Sequence, residues 1–141
     1  MQAMSGPMTV EVESAARFYD TVVWGSADRK VDLPGAAKAG NIAGILLPKA
    51  NTADADGYAA GEYADLAFEE GRVIRFNKAT GYTVSPGDKM VVYDTNGNLA
   101  PTGEASISAG DNVEMFGFAT ESSASADEWG FMKIAHSVYQ G

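Results

Sequence analysis

The sequence predicts an all-β fold, a single antiparallel barrel or jelly-roll-like sandwich with an internal two-fold repeat. Three observations lead to it. Short β-prone runs recur between clusters of Gly, Pro, Asn and Asp, the punctuation of a sandwich or barrel. No window combines helical periodicity with clear caps. One order of signals also occurs twice along the chain.

The second copy is the easier to read. Met90-Val91-Val92-Tyr93 is β-prone, Asp94 to Asn98 is turn chemistry, and Leu99-Ala100-Pro101 leads out. Asn96-Gly97 predicts a hairpin with a type I′ turn, because Asn tolerates and Gly freely adopts the positive φ such a turn needs. Ala109-Gly110-Asp111 then precedes the apolar run Val113 to Ala119. In the first copy Val22-Val23-Trp24 stands for Val91-Val92-Tyr93, Val31 to Pro34 for the exit, and Ile42-Ala43-Gly44-Ile45 for Met115-Phe116-Gly117-Phe118. Glu62 to Phe68 lines up with Glu128 to Ile134. The repeat halves are about residues 20–76 and 88–140, within one domain spanning 9–141. Two copies are too few for a solenoid but can close on each other.

Taken in order, residues 1–8 (MQAMSGPM) read as a mobile, Gly/Pro-broken arm. Thr9 to Glu13 alternates apolar and charged residues, the pattern of a half-buried strand and a candidate edge. Phe18 to Trp24 reads as one β-run with Phe18 and Tyr19 on opposite faces. Ile42 to Leu47 is apolar without alternation, and its flanking Gly and Pro favour a buried strand. Glu62 to Phe68 and Arg72 to Phe76 are strand-like runs separated by the hairpin-length Glu69-Glu70-Gly71. Pro86-Gly87-Asp88 is a turn in which proline presets φ before a glycine. A last strand runs from Trp129 through Tyr139.

Composition narrows the function. A chain of 141 residues with 45% hydrophobic content can bury a core on its own. Without cysteine there are neither disulfides nor thiolate metal sites. No apolar run reaches the roughly 20 residues of a membrane span, and no basic segment followed by an apolar core marks a secretory signal, so no membrane is expected as partner. The formal net charge of −9, with ten scattered basic residues, argues against nucleic acid, whose binders draw affinity from Lys and Arg on phosphates.

Catalytic chemistry finds little support. The single histidine, His136, lies in the last strand with no nucleophile motif to complete a triad, so a structural or interface role is expected. Asp54-Ala55-Asp56-Gly57 resembles the start of a calcium loop, but Gly57 stands at the fourth position, not the sixth, and Asp65 stands where a bidentate Glu is wanted. No metal and no cofactor are expected, and no glycine pattern cradles a phosphate. Phe18, Tyr19, Trp24, Tyr58, Tyr63, Trp129 and Tyr139 are assigned to core and strand-face packing ahead of a sugar-stacking platform.

The ordered set VVWGSADRKVDLPGAAKAGNIAGILL, AAGEYADLAFEEGRVIRF, VSPGDKMVVYDTNGNLAP and MFGFATESSASADEWGFMKI resembles the capsid cement (decoration) proteins of tailed bacteriophages over roughly residues 9 to 139. The resemblance implies a non-enzymatic virion protein on the outer capsid surface, with the major capsid protein as partner and self-association as a dimer or trimer. It fixes no contact residues. From the residues themselves, the arm and first strand are the candidate contacts, through Met4, Met8, Thr9, Val10, Glu11 and Val12. Methionines fill irregular grooves, and an edge strand can pair with a neighbour. The alternatives are a β-sandwich ligand- or carbohydrate-binding module with a receptor-binding role, and an enzyme with a carboxylate pair in a barrel mouth.

Overall fold

Alternation of apolar and polar residues in Met8–Val12 puts Val10 and Val12 inside and Thr9 and Glu11 outside, and this strand, β1, opens the described structure. The structure is a computed structural model describing residues 8–49 and 56–141. β2 (Ala16–Arg17), β3 (Thr21–Trp24), β4 (Lys30–Asp32), β5 (Ile42–Leu46), β6 (Gly57–Tyr58) and β7 (Tyr63–Ala67) follow. Then come β8 (Val73–Asn77), β9 (Lys89–Val92), β10 (Leu99–Pro101), β11 (Asn112–Ala119) and β12 (Trp129–Gln140), with one short 3-10 turn at Thr102–Glu104. The all-β expectation holds.

The strands form a closed barrel in the order β1-β4-β3-β5-β7, a five-stranded sheet in the order β10-β9-β11-β12-β8, and a small β2-β6 ribbon. The repeat is legible in these orders. Barrel strands β4-β3-β5-β7 match sheet strands β10-β9-β11-β12 one for one, all antiparallel. β1 lies beside β7 as β8 lies beside β12. The copies differ in closure. β1 also pairs in parallel with β4, Glu11 opposite Lys30 and Val12 opposite Val31, whereas among the described strands β8 and β10 end the order of the second sheet without pairing to each other. Only the first half is therefore a barrel, and one of its ladders is parallel.

Gly44 and Gly117 show why the repeat keeps a glycine inside the strand that follows each hairpin, β5 and β11. A Cβ on Gly44 would press into the Ala67 carbonyl oxygen and stand 2.9 Å from Leu66 Cγ. On Gly117 it would press into the Lys133 carbonyl oxygen and stand 2.8 Å from Met132 Cε. Leu66-Ala67 and Met132-Lys133 are the pairs that the repeat alignment superimposes. In both halves the bare backbone admits close approach of the next strand beside a register shift.

β5 explains its own unbroken apolarity. Ile42 and Ile45 face a core shared with the second sheet, whose fully buried members include Phe76, Phe116, Met90, Met132 and Ile134. Ala43 and Leu46 face the barrel interior with Val10, Val12, Val22, Val31 and Leu66. A strand covered on both faces needs no polar positions, and each large side chain so buried stabilises by about 1.5–3 kcal/mol.

Four local expectations are corrected. The run Phe18 to Trp24 is not one strand: Tyr19 holds a left-handed backbone, φ 68°, which separates β2 from β3 and sends Phe18 to the barrel core and Tyr19 to the shared core. The Asn96-Gly97 hairpin forms, but not as a type I′ turn. Gly97 has φ 84° while Asn96 does not share it, and the loop closes from Tyr93 N–H to the Asn98 carbonyl at 2.9 Å. Asp94 Oδ1 accepts from the backbone N–H groups of Asn96 at 2.9 Å and Asn98 at 3.3 Å, an Asx arrangement that suits a longer loop. β7 and β8 do not pair as a hairpin, because β1 and β5 already occupy both sides of β7. For a similar reason β1 is no edge, being paired to β7 on one side and to β4 on the other. The turn at Pro86-Gly87 forms as expected, with Gly87 at φ 89° and Asp88 N–H on the Ser85 carbonyl.

Candidate functional site

The side chains expected at a contact surface separate once β1 is seen in the barrel. Val10 and Val12 point into the interior and are buried in the barrel core. Met8 is half-buried against the same core. Thr9 Oγ1 donates to Asp65 Oδ1 at 3.1 Å, and Glu11 pairs with Lys30 at 3.5 Å, so these two remain at the surface. Met4 and the rest of residues 1–7 lie outside the described residues.

His136 stands between two carboxylates, its Nδ1 3.5 Å from Glu70 Oε1 and its Nε2 3.6 Å from Glu114 Oε1. Its backbone N–H donates to Glu70 Oε1 at 3.0 Å, and its ring packs edge-on against Phe116 with centroids 4.7 Å apart. This is a bridge that ties the β7–β8 connection to the β11–β12 pair. A cleft of about 530 Å³ beside it is lined by Trp24, Ile42, Glu114 and Val138.

Of the calcium-like stretch, Asp54 and Ala55 lie outside the described residues. Gly57 belongs to β6 and Asp65 receives the Thr9 hydroxyl. Among the described residues no three His, Asp or Glu side chains are arranged to hold a metal ion.

A polar junction that the sequence did not announce joins the two halves. Asp20, 1% exposed, accepts from the Arg17 backbone N–H, Arg17 Nη2 and Asn77 Nδ2, each at 2.8 Å. Asn77 Nδ2 also donates to the Phe18 carbonyl at 2.8 Å. Arg17 Nη2 reaches on to the Asn96 carbonyl and Asn98 Oδ1, both at 3.0 Å. Burial pushes the Asp20 carboxyl above its usual range, outweighing the lowering by Asn77 and Arg17. Thr21 N–H donates to the Gly97 carbonyl at 2.9 Å, so the second-half hairpin rests on the start of β3. A cleft of about 750 Å³ opens here between Arg17, Asp20, Tyr58, Glu62 and Asn98. Apart from the local Arg17–Asp20 contact, its partners stand 57 to 81 positions apart in sequence, and no local motif marks them.

The aromatics divide. Tyr58 is buried, stacks edge-on with Phe18 at 5.3 Å and donates its hydroxyl to the Leu47 carbonyl. Burial, with Asp65 and Glu62 nearby, pushes its phenol up to about 12. Tyr82 is buried and bonded to the Leu99 carbonyl at 2.6 Å. Trp24, Tyr63 and Trp129 are exposed. Lys78, 1% exposed, donates to the carbonyls of Ala79 at 3.0 Å and Asp127 at 2.7 Å, beneath the Tyr82 ring. Burial pushes its ammonium below the usual lysine range, with Asp127 and Glu128 opposing.

The class that this architecture defines is a two-unit all-β module, a closed barrel followed by an open sheet built on the same strand order. A solved structure with this fold is the N base of the head fiber gp8.5 in bacteriophage phi29. It is 15% identical in sequence, with a TM-score of 0.52, over 96% of this chain and 98% of that one. No family model matches the sequence, and no curated protein does. At this identity the likeness concerns the fold.

Proposed function

We propose that this chain is a structural protein of a bacteriophage virion, and within that class a capsid cement (decoration) protein that binds the outer capsid surface and stabilises the lattice of the major capsid protein. The observation that carries the reading is the end-to-end likeness of the fold to a phage head fiber base, 96% of one chain on 98% of the other. A partial match could reflect a reused β-unit, whereas here both the barrel and the open sheet are matched together. The charge agrees: a net −9 suits the outside of a particle whose interior holds a polyanion.

Reinforcement follows from mass action. A protein that binds the assembled lattice and not the dissociated subunits stabilises assembly by RT ln(1 + [L]/Kd), about 2.7 kcal/mol per site at one hundred times Kd. Many sites multiply that gain. The test uses capsids purified from particles lacking this protein. Adding it back in a concentration series is expected to saturate the shells and raise their melting temperature in proportion to occupancy. Saturable binding with no change in capsid melting would retain a virion protein and reject the cement role, and no binding at any concentration would reject both.

A further inference from the structure

The outward face of the second sheet is half covered by the chain itself and half bare. Where β9, β11 and β12 run toward the 3-10 turn, Val91, Val113 and Met115 are roofed by Ala105, Ile107 and Tyr139. Beyond that roof the register sets Val73 opposite Lys133, Lys133 opposite Phe118, and Phe118 opposite Lys89, one row across four strands. Phe131 opposite Arg75 forms the next row. Val73 is 58% exposed and Phe118 37%. At the end of the face Trp129 packs edge-on against Phe131 at 5.6 Å, and the Arg75 guanidinium lies 5.1 Å from its ring and 4.8 Å from that of Tyr19.

Three basic side chains gather on this face. Elsewhere Arg17 pairs with Asp20, Lys30 with Glu11, Lys49 with Glu62 and Arg72 with Glu69; Lys78 and Lys38 donate to backbone carbonyls, and Arg29 forms no ion pair among the described residues. Lys89, Lys133 and Arg75 form no ion pair among the described residues, and the two rows contain no carboxylate. In a chain of net charge −9 with ten basic residues, three unpaired cations set around exposed apolar side chains make a local surface of opposite sign to its surroundings. Such a face favours a partner with acidic groups around an apolar centre; an acidic surface without an apolar centre meets its charge but leaves its apolar side chains uncovered.

We infer that this bare face, centred on Val73, Phe118 and Lys133, is the surface that docks onto an acidic, apolar-centred patch of the capsid lattice. The inference rests on the capsid reading and names its geometry. The second sheet faces the shell, and the barrel, packed on the sheet's other side through Ile42, Ile45 and Ala67, points away from it.

The experiment measures binding of the full chain to capsids lacking it, by co-sedimentation across a salt series. Lys89→Glu with Lys133→Glu reverses two exposed charges, and Val73→Ser with Phe118→Ser removes the exposed apolar centre. Arg29→Glu with Lys38→Glu reverses two charges elsewhere. Wild-type binding is expected to weaken as salt rises, the first variant to lose at least about 10-fold in affinity and the second about 10-fold, and the third to match wild type. If the first two variants bind like the third while wild type binds well, the face is wrong and the capsid reading stands. If wild type does not bind, the capsid reading fails and takes the assigned partner with it. Capsid occupancy retained by the first variant, with loss of a self-associated form by sedimentation velocity, would make the face a contact between copies and overturn the assignment.

Discussion

Replacing Gly117 or Gly44 with alanine tests the account of the repeat at its tightest point. The new Cβ on Gly117 would stand 2.8 Å from Met132 Cε and still closer to the Lys133 carbonyl oxygen, against an ordinary carbon contact of about 3.5–4.0 Å. Met132 can swing its terminal methyl aside, but the carbonyl belongs to the β11–β12 ladder, where Gly117 lies opposite Ile134 and Phe118 opposite Lys133. Relief therefore requires opening the strand spacing. Overpacking costs about 1–3 kcal/mol, and weakening one ladder hydrogen bond adds about 1 kcal/mol, so Gly117→Ala is expected to destabilise by about 3 kcal/mol. Gly44→Ala should cost about as much, because the Ala67 carbonyl and Leu66 Cγ at 2.9 Å oppose it in the same way. Urea unfolding measures the effect. With a slope near 2 kcal/mol per molar the midpoint should fall by about 1.5 M. Gly35→Ala and Gly103→Ala meet nothing within 4 Å and should stay within about 0.5 kcal/mol of wild type. If all four variants unfold together, close strand approach is not what keeps the two glycines, and the structural basis given for the repeat is wrong.

The Tyr58 phenol is held at about 12 in the fold against 10 in the free side chain. The folded state therefore keeps a proton that the unfolded state loses, so stability is full below pH 10 and falls by about 2–3 kcal/mol as pH rises to 12. Burial raises the Tyr82 phenol as well, so Tyr58→Phe should reduce that alkaline fall in thermal melts without abolishing it, and an unchanged fall would refute the assignment to Tyr58. Lys78→Met strands the Ala79 and Asp127 carbonyls that its ammonium now satisfies, and a loss of about 2 kcal/mol is expected by urea titration, with no loss counting against the pinning role. His136→Ala removes a partly exposed bridge between Glu70 and Glu114. It should cost under about 1 kcal/mol and leave capsid binding intact in the absence or presence of EDTA, whereas abolished binding by a folded variant would give His136 a functional role.

Much of the fold was legible because its signals are local or periodic. The alternation of Thr9 to Val12, the two-sided apolarity of Ile42 to Leu46, and the Pro86-Gly87 turn each follow from a few neighbouring residues. The duplication was legible because Gly44 and Gly117 answer the same close approach, so the alignment of Leu66-Ala67 with Met132-Lys133 carried three-dimensional content before any pairing was known. Asn96-Gly97 located its hairpin but not its turn type, since Asp94 captures the following amides and lengthens the loop.

Competition between distant strands decided the rest. Whether β1 would be an edge depended on β4 arriving in parallel beside it, and whether Glu69 to Gly71 would close a hairpin depended on β7 having a free side, which β1 and β5 had taken. Neither outcome is written in the residues of the segment it governs. The Arg17–Asp20–Asn77–Asn98 junction and the cationic, aromatic face on the second sheet have the same origin. Their members are scattered along the chain, and each looks ordinary in its own neighbourhood. Pairing registers set by the whole fold bring Asp20 out of water, where burial outweighs its pairing, and leave Lys89, Lys133 and Arg75 together on one face with no ion pair among the described residues. The sequence by itself determined the strands, their glycine contacts and their repetition, because those depend on local geometry. Tertiary structure alone decided closure and the exposed face, because those depend on which distant strands pair with which.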